Sequence, residues 1–208
     1  MPRPRAFDEE AALDAASARF WTQGYAATSV RDLGDAMGMG AASLYNAFGD
    51  KRALFARCLD RYLDRGLRAR VARLEEALPP RRAIEAFLAE ILALSRSDRR
   101  GCLMVNSAIE AGASQEPDIG ALLEDGLVEL EAFFRRCVLA GQRDGSIAPA
   151  RDPADLGALL LATVMGLRVL ARARPEPALL EGAVRSALAL LDDPHPSSHQ
   201  GEPPCPTP

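Results

Sequence analysis

The fold of the N-terminal part is decided by residues 29–48, which read SVRDLGDAMGMGAASLYNAF. Ser29 and Asp32 match a capping box, in which a hydroxyl and a carboxylate three residues apart satisfy the first amide groups of a helix. Apolar residues then repeat at helical spacing up to Met37, and Gly38 suits the left-handed position that follows a helix. Residues 29–48 therefore predict two short helices joined by a turn, a helix-turn-helix.

The second helix of this pair, predicted from about Gly40 to Phe48, has two different faces. Leu44, Ala47 and Phe48 share an apolar face, because residues three and four apart are neighbours on a helix. The opposite face carries Ala41, Ala42, Tyr45 and Asn46. An upstream block with an acidic first turn at residues 8–10 and an apolar stripe up to Gly24 predicts the helix that completes a small core.

The remaining chain is divided into helices by proline, glycine and capping residues. Asp50 suits the N-cap of a long helix from Lys51 to about Leu78, which Pro79 and Pro80 end. Further helices are predicted at about 81–97, 101–112, 117–144, 153–174 and 176–192. Residues 193–208 are rich in proline and are predicted to be disordered. We therefore expect an all-α protein.

Composition and charge exclude several classes of protein. The 208 residues are 48% hydrophobic and 26% charged, with a net charge of −4, so nucleic-acid binding must come from a local patch. The stretches without charge, among them residues 156–167, are all shorter than the roughly 20 residues of a bilayer span. The first residues lack the apolar segment of a secretory signal. We expect a cytoplasmic protein that does not enter the membrane.

The arrangement of histidines and cysteines does not favour catalysis or metal binding. His195 and His199 both lie in the proline-rich tail. The four cysteines lack the C-x-x-C spacing of zinc and thioredoxin sites, and no glycine-rich phosphate loop is present. We expect that the protein is not an enzyme and has neither a metal nor a cofactor.

Three motifs resemble the TetR family of bacterial transcriptional regulators: Gly24-Tyr25-x-x-Thr28-Ser29-Val30-Arg31-Asp32-Leu33, Met37-Gly38-Met39 and Ser43-Leu44-Tyr45-x-x-Phe48-Gly49-Asp50-Lys51-x-x-Leu54-Phe55. The resemblance implies an N-terminal three-helix helix-turn-helix DNA-binding domain and a C-terminal helical ligand-binding and dimerisation domain. We place the first, with an N-terminal arm, at 1–52 and its helix-turn-helix at 29–48. The second is placed at 53–192, and the tail at 193–208.

The resemblance also implies which residues contact DNA. Base contacts are implied for Ala41, Ala42, Tyr45 and Asn46, because asparagine bonds adenine and alanine methyl groups suit thymine. Phosphate contacts are implied for Arg31, Ser43, Tyr45 and Lys51, with Thr28 or the nearby backbone as a further candidate.

The recognition helix departs from the family pattern. Relatives often carry Ser-Lys in place of Gly40-Ala41 and His-His in place of Asn46-Ala47, so this helix has no cation. Arg3 and Arg5, in the arm, could compensate from the minor groove.

Candidate effector-sensing residues lie in the C-terminal part. Cys102 follows Gly101 at a predicted helix start, where a thiol near Arg99 and Arg100 is favoured as a reactive thiolate. Cys58 and Cys137 lie within helix patterns and are predicted to be core residues. Four isolated polar residues could orient an effector, although structural hydrogen bonds would explain them equally well: Asn106, Ser107, Glu110 and Arg168.

The last two predicted helices carry wide apolar faces, and the resemblance implies that a homodimer forms through them. We thus predict a dimeric repressor that an unknown small-molecule or oxidant effector releases from a palindromic operator in double-stranded DNA. Two alternatives are a regulator that needs no effector and a helical interaction protein without specific DNA binding.

Overall fold

The computed structural model describes residues 8–110 and 115–192. Arg3, Arg5 and the tail at 193–208, which was predicted to be disordered, lie outside the described residues. Within the described ranges the chain is helical and contains no strand. The helices are α1 (Glu9–Gln23), α2 (Val30–Met37), α3 (Ala41–Phe48), α4 (Lys51–Tyr62), α5 (Ala69–Ala77), α6 (Pro80–Ser97), α7 (Leu103–Ile109), α8 (Pro117–Asp144), α9 (Pro153–Ala173) and α10 (Pro177–Ala189).

The first two helices begin at side-chain caps close to the positions that the sequence predicts. The Asp8 carboxylate accepts hydrogen bonds from two amide groups at the start of α1. The Ser29 and Asp32 capping box is formed at the start of α2, and Gly38 takes the left-handed conformation at its end. Local sequence therefore determines these helices, because each cap contacts only residues within four positions of itself.

Helices α1, α2, α3 and the first turns of α4 enclose one apolar core. Its centre is formed by Phe20, Leu33, Leu44 and Phe55, each 1% exposed or less. The rings of Phe20 and Phe55 meet edge to face, with their centroids 4.7 Å apart. Arginines on α4 also pair with acidic residues on α1; Arg61, for example, lies 3.0 Å from the Asp14 carboxylate. The start of α4 is thus fixed against the helix-turn-helix.

The helix predicted from Lys51 to Leu78 is not a uniform α-helix. A π-helical segment, Leu63–Arg68, joins α4 to α5. The hydrophobic repeat in the sequence did not indicate it, because an apolar stripe continues through both kinds of helix. Short π-helical segments inside α-helices occur frequently at functional sites, and this one contributes Leu63, Gly66 and Leu67 to the wall of a cavity.

Helices α6, α8 and α9 form the core of the C-terminal part. Phe87 on α6 packs with Phe133 and Phe134 on α8, with ring centroids 5.1–5.4 Å apart. The most extensive contact between two helices joins α8 and α9. Helix α10 packs on α9 and α6 and leaves a groove between itself and α9.

Helix α9 is the one helix in the described ranges that is long and apolar enough to cross a membrane by length and composition, with a mean hydropathy of 1.7. It also packs against α6, α7, α8 and α10 and carries the buried, charged side chain of Arg168. We interpret α9 as a core helix, since four helices pack against it and it carries a buried charge.

Candidate nucleic-acid interface

A tight turn fixes the angle between α2 and α3. The amide of Met39 donates to the carbonyl of Gly34, at 2.9 Å. A Cβ atom added at Gly34 would lie 2.7 Å from the Met39 carbonyl oxygen, a distance that real Cβ atoms essentially never show. Only glycine therefore fits at this position. The sequence analysis did not single out Gly34, although an interior glycine in so short a helix was a detectable signal.

Helix α3 presents the predicted outward face to solvent. Leu44 and Phe48 are buried, whereas the outward residues Ala41, Ala42, Ser43, Tyr45 and Asn46 are exposed. Its N-cap, Gly40, makes no side-chain hydrogen bond to the first turn. The first amide groups of α3 thus have no side-chain acceptor there, which is the arrangement that suits a phosphate group.

Arg31 is the exposed cation of the helix-turn-helix. Its side chain is 91% exposed and lies 4.0 Å from Asp35, an ion pair that is too exposed to hold it in place. Asp32 is committed to the cap: the Ser29 hydroxyl and amide donate to this carboxylate and lower its pKa below the usual range. The exposed side chain of Arg31 stays a predicted phosphate contact.

Thr28 takes a buried position. Its side chain is fully buried, and its hydroxyl donates to the carbonyl of Gly24 at 2.6 Å. The Thr28 hydroxyl therefore stabilises the connector between α1 and α2, and a phosphate contact from Thr28 or the nearby backbone stays a prediction.

Lys51 also takes a structural position. Its ammonium donates to the carbonyls of Tyr25 at 2.8 Å, Thr28 at 3.0 Å and Ala26 at 3.4 Å. It lies 4.5 Å from the centroid of the Tyr25 ring as well. An ammonium has three N–H donors, and these carbonyls account for all three. In this structure the Lys51 ammonium therefore holds the connector, and its phosphate contact stays a prediction.

Glu110 was expected to orient an effector, and the structure places it on the same connector. Its carboxylate accepts from the amides of Tyr25 at 2.9 Å and Ala26 at 2.6 Å. Gly24 has a φ of +87°, and a Cβ there would lie 3.0 Å from this carboxylate. The connector, residues 24–28, is therefore held through its amide groups by Glu110, at the end of α7, and through its carbonyls by Lys51.

A cavity of about 220 Å³ lies in the C-terminal part. Two predicted sensing residues, Cys102 and Arg168, line it together with Trp21 of α1 and Tyr62 of α4. Because Trp21 belongs to the helix that supports the helix-turn-helix, a molecule in this cavity would touch both parts of the chain.

The other polar candidates do not line this cavity. Ser107 is buried and Asn106 is half-buried; both line a separate cleft between α1 and α7. The Asn106 side chain donates to the carbonyl of Arg100 at 2.8 Å. Asn106 thus stabilises the loop before α7 in a structural role.

The three cysteines within the described residues have different surroundings. Cys58 and Cys137 are buried as predicted, and burial raises the pKa of their thiols to about 11 and about 12. These two thiols are therefore unreactive. Cys102 is half-buried and accepts a hydrogen bond from the Tyr62 hydroxyl at 3.3 Å. Its role as a sensor stays a prediction. No group of three or more potential metal ligands occurs in the part of the chain that the structure describes.

A short capped helix, a glycine turn and a second helix with an exposed face define a helix-turn-helix DNA-binding regulator. Residues 12–58 match the family model described as bacterial regulatory proteins of the tetR family, and residues 80–187 match the tetracyclin repressor-like C-terminal domain. The chain belongs to the TetR family of bacterial transcriptional regulators.

Individual relatives agree with this assignment. The chain is 34% identical to the HTH-type transcriptional repressor ComR of Escherichia coli K12, over 91% of this chain and 90% of ComR. It is 33% identical to the TetR family regulator CifR, solved as a cysteine mutant with 26-base-pair operator DNA; this match has a TM-score of 0.80 and covers 91% of this chain and 99% of the CifR chain. Reduced NemR of Escherichia coli shares the fold at 19% identity, with a TM-score of 0.78, over 89% of this chain and 97% of NemR.

Membership of the family confirms three of the predictions. The fold is all-α with an N-terminal helix-turn-helix and a helical C-terminal domain. The protein is a DNA-binding transcriptional regulator and not an enzyme.

Proposed function

We propose that the protein is a homodimeric repressor that binds a palindromic operator and leaves it when an effector occupies the cavity of the C-terminal part. The exposed face of α3 beside the fixed Gly34 turn is the observation that supports this proposal most directly. The relatives support repression, because ComR is described as a transcriptional repressor and CifR was solved with operator DNA. We expect the protein to act in the cytoplasm, where the chromosome lies.

The exposed face of α3 is proposed to enter the major groove. Asn46 would bond an adenine edge, and the methyl groups of Ala41 and Ala42 would contact thymine. Ser43, the Tyr45 hydroxyl, Arg31 and the free amides of α3 would contact phosphates. The domain division near residue 52 also stays a proposal, because α4 packs on both α1 and α8.

Asn46→Ala is expected to lose about 1–3 kcal/mol of discrimination at one base pair of each half-site, because the bidentate bond to adenine is lost. The measurement is selection of bound sequences from random double-stranded DNA, carried out with the wild type and the variant. Tyr45→Phe is the matched comparison: it removes a proposed phosphate contact and should weaken all sequences alike. If the selected sequence is the same for Asn46→Ala and the wild type, Asn46 does not read a base.

Lys51→Met is expected to lower the free energy of unfolding by about 1.5–3 kcal/mol, because the connector loses hydrogen bonds to a charged group. The salt dependence of operator binding should stay unchanged, since the ammonium contacts carbonyl groups. Arg31→Met is the contrasting variant: it should reduce the salt slope by about 1 without loss of stability. If Lys51→Met instead shows a reduced salt slope and unchanged stability, Lys51 contacts a phosphate as the sequence predicted.

The dimer is proposed to form through α9 and α10. Their groove is lined by Leu159, Thr163, Gly166, Leu167, Leu170, Ala183, Ser186, Ala187 and Leu190. Leu159 and Val169 on α9 are 40% and 43% exposed, so this helix leaves large apolar side chains open to solvent. A second copy of the same two helices would cover these residues and set the spacing of the two α3 helices.

A further inference from the structure

The cavity beside Trp21 contains a buried charge, Arg168, that forms no close ion pair within the described residues. Arg168 is 5% exposed, and its guanidinium donates to the Ser95 hydroxyl at 3.2 Å and to the carbonyl of Gly101. Both acceptors are neutral, and within residues 8–110 and 115–192 Arg168 forms no ion pair. Buried charges in proteins are normally paired with an opposite charge. Arg168 therefore lacks the partner that an anion would supply.

The carboxylate that lines the same cavity is already occupied. Asp98 accepts from Arg100, with Nε at 3.0 Å and Nη2 at 2.6 Å from its oxygens. The Arg100 guanidinium holds the pKa of the Asp98 carboxyl below its usual range, so the pair is one anion and one cation. Arg168 attracts this carboxylate only at longer range, so no carboxylate within the described residues is hydrogen-bonded to the Arg168 guanidinium.

A second unsatisfied donor belongs to Trp21, which is among the residues that line this cavity. The Trp21 Nε1 atom is buried and has no hydrogen-bond partner within the described residues. An indole N–H can only donate, so it needs an acceptor from a ligand or from water. Arg168 and Trp21 thus both require acceptor atoms.

The wall also includes Arg70, whose guanidinium is paired with Glu90 at 2.9 Å, and otherwise it is mostly apolar. It includes Leu63, Leu67, Phe87, Ile91, Val164 and Met165. At about 220 Å³ the cavity is smaller than the roughly 300–1,000 Å³ of sites for drug-sized molecules. Its size and wall suit a short aliphatic chain or a single ring.

We infer that the ligand of this cavity is a small organic carboxylate, with its anionic group on the Arg168 guanidinium and its apolar part against α6 and α9. This inference rests on the proposed effector function of the same cavity. Because the carbonyl of Gly101 and the ligand share one guanidinium, binding would also alter the loop that precedes α7. Helix α7 ends at Glu110, which holds the connector of the DNA-binding domain.

The test compares carboxylates with their neutral amides on the full-length protein. Trp21 is the only tryptophan in the chain, so its fluorescence reports binding at the cavity. Benzoate and hexanoate are expected to bind about 10- to 100-fold more tightly than benzamide and hexanamide, because they add a charge-assisted hydrogen bond to Arg168. Equal affinity for acid and amide would overturn the inference.

Variants on α9 test whether the charge of Arg168 causes the preference for carboxylates over amides. Arg168→Met should remove the preference for the acid, and Arg168→Lys should retain part of it. Arg172→Met, an exposed arginine one turn further along α9, should leave the preference intact. A preference that survives in folded Arg168→Met would overturn the assignment. If Arg168→Met does not fold, the wild-type comparison and Arg168→Lys still decide.

Release of operator DNA separates this inference from the proposed function. Release by carboxylates, with weaker release by amides, would support both. Carboxylates that bind selectively without releasing the operator would support the ligand class and contradict the effector mechanism. Release by the amides alone would contradict the ligand class and support the effector mechanism.

Discussion

Phe55→Ala is expected to lower the free energy of unfolding by about 3–5 kcal/mol, the usual cost of truncating a buried phenylalanine. Phe55 is fully buried where α4 meets the DNA-binding helices. Its ring centroid lies 4.7 Å from that of Phe20 and 5.0 Å from that of Tyr25. The cavity left by alanine would thus remove contacts with both α1 and the connector.

The measurement is urea denaturation at one fixed protein concentration, because the proposed dimerisation would make apparent stability depend on concentration. The matched control is Val128→Ala on α8, where the side chain is 57% exposed and its loss should change stability by less than about 0.5 kcal/mol. We also expect weaker operator binding by Phe55→Ala at temperatures where it stays folded, since α1 supports the helix-turn-helix. A loss below about 1 kcal/mol would show that α4 does not hold this core together.

Leu159→Glu is expected to convert the dimer into a monomer and to weaken operator binding by about 10²–10⁴-fold. A charge in the groove between α9 and α10 would be buried against the second copy without a partner, which is strongly unfavourable. In a dimer, binding of one helix-turn-helix to its half-site raises the effective concentration of the other at the second half-site. A monomer loses this gain in affinity. The measurements are light scattering coupled to gel filtration and titration of a palindromic operator.

Val128→Glu provides the control for this substitution. Val128 is more exposed than Leu159 but lies on α8, outside the proposed interface, so its variant should remain dimeric and bind the operator fully. If Leu159→Glu stays dimeric at micromolar concentration, the interface lies elsewhere. If it is monomeric and retains full affinity, the proposed pairing of half-sites is wrong.

The arrangement around the connector links the two parts of the protein. Glu110 accepts from two connector amides, and Lys51 donates to three connector carbonyls. A displacement of α7 would therefore reach residues 24–28 directly, and these residues join α1 to α2. An effector that binds better when α7 takes a different position would shift the equilibrium toward that state. The size of the shift would equal the difference between its affinities for the two states.

The amino-acid sequence alone determined the features that depend on near neighbours. The caps at Asp8 and Ser29, the glycine after α2 and the apolar face of α3 all arise within a few residues, so periodicity and capping rules identify them. The motif string from Gly24 to Phe55 was sufficient to indicate the family.

Only the tertiary structure decided which distant residues meet. Glu110 lies 85 positions from Tyr25, and Lys51 lies 26 positions from it, so spacing carries no information about these contacts. An exposed lysine before a helix and a polar residue in an apolar helix look the same in sequence whether they contact DNA, an effector or the backbone. Burial and available acceptors distinguish these roles, and both arise only when the helices pack.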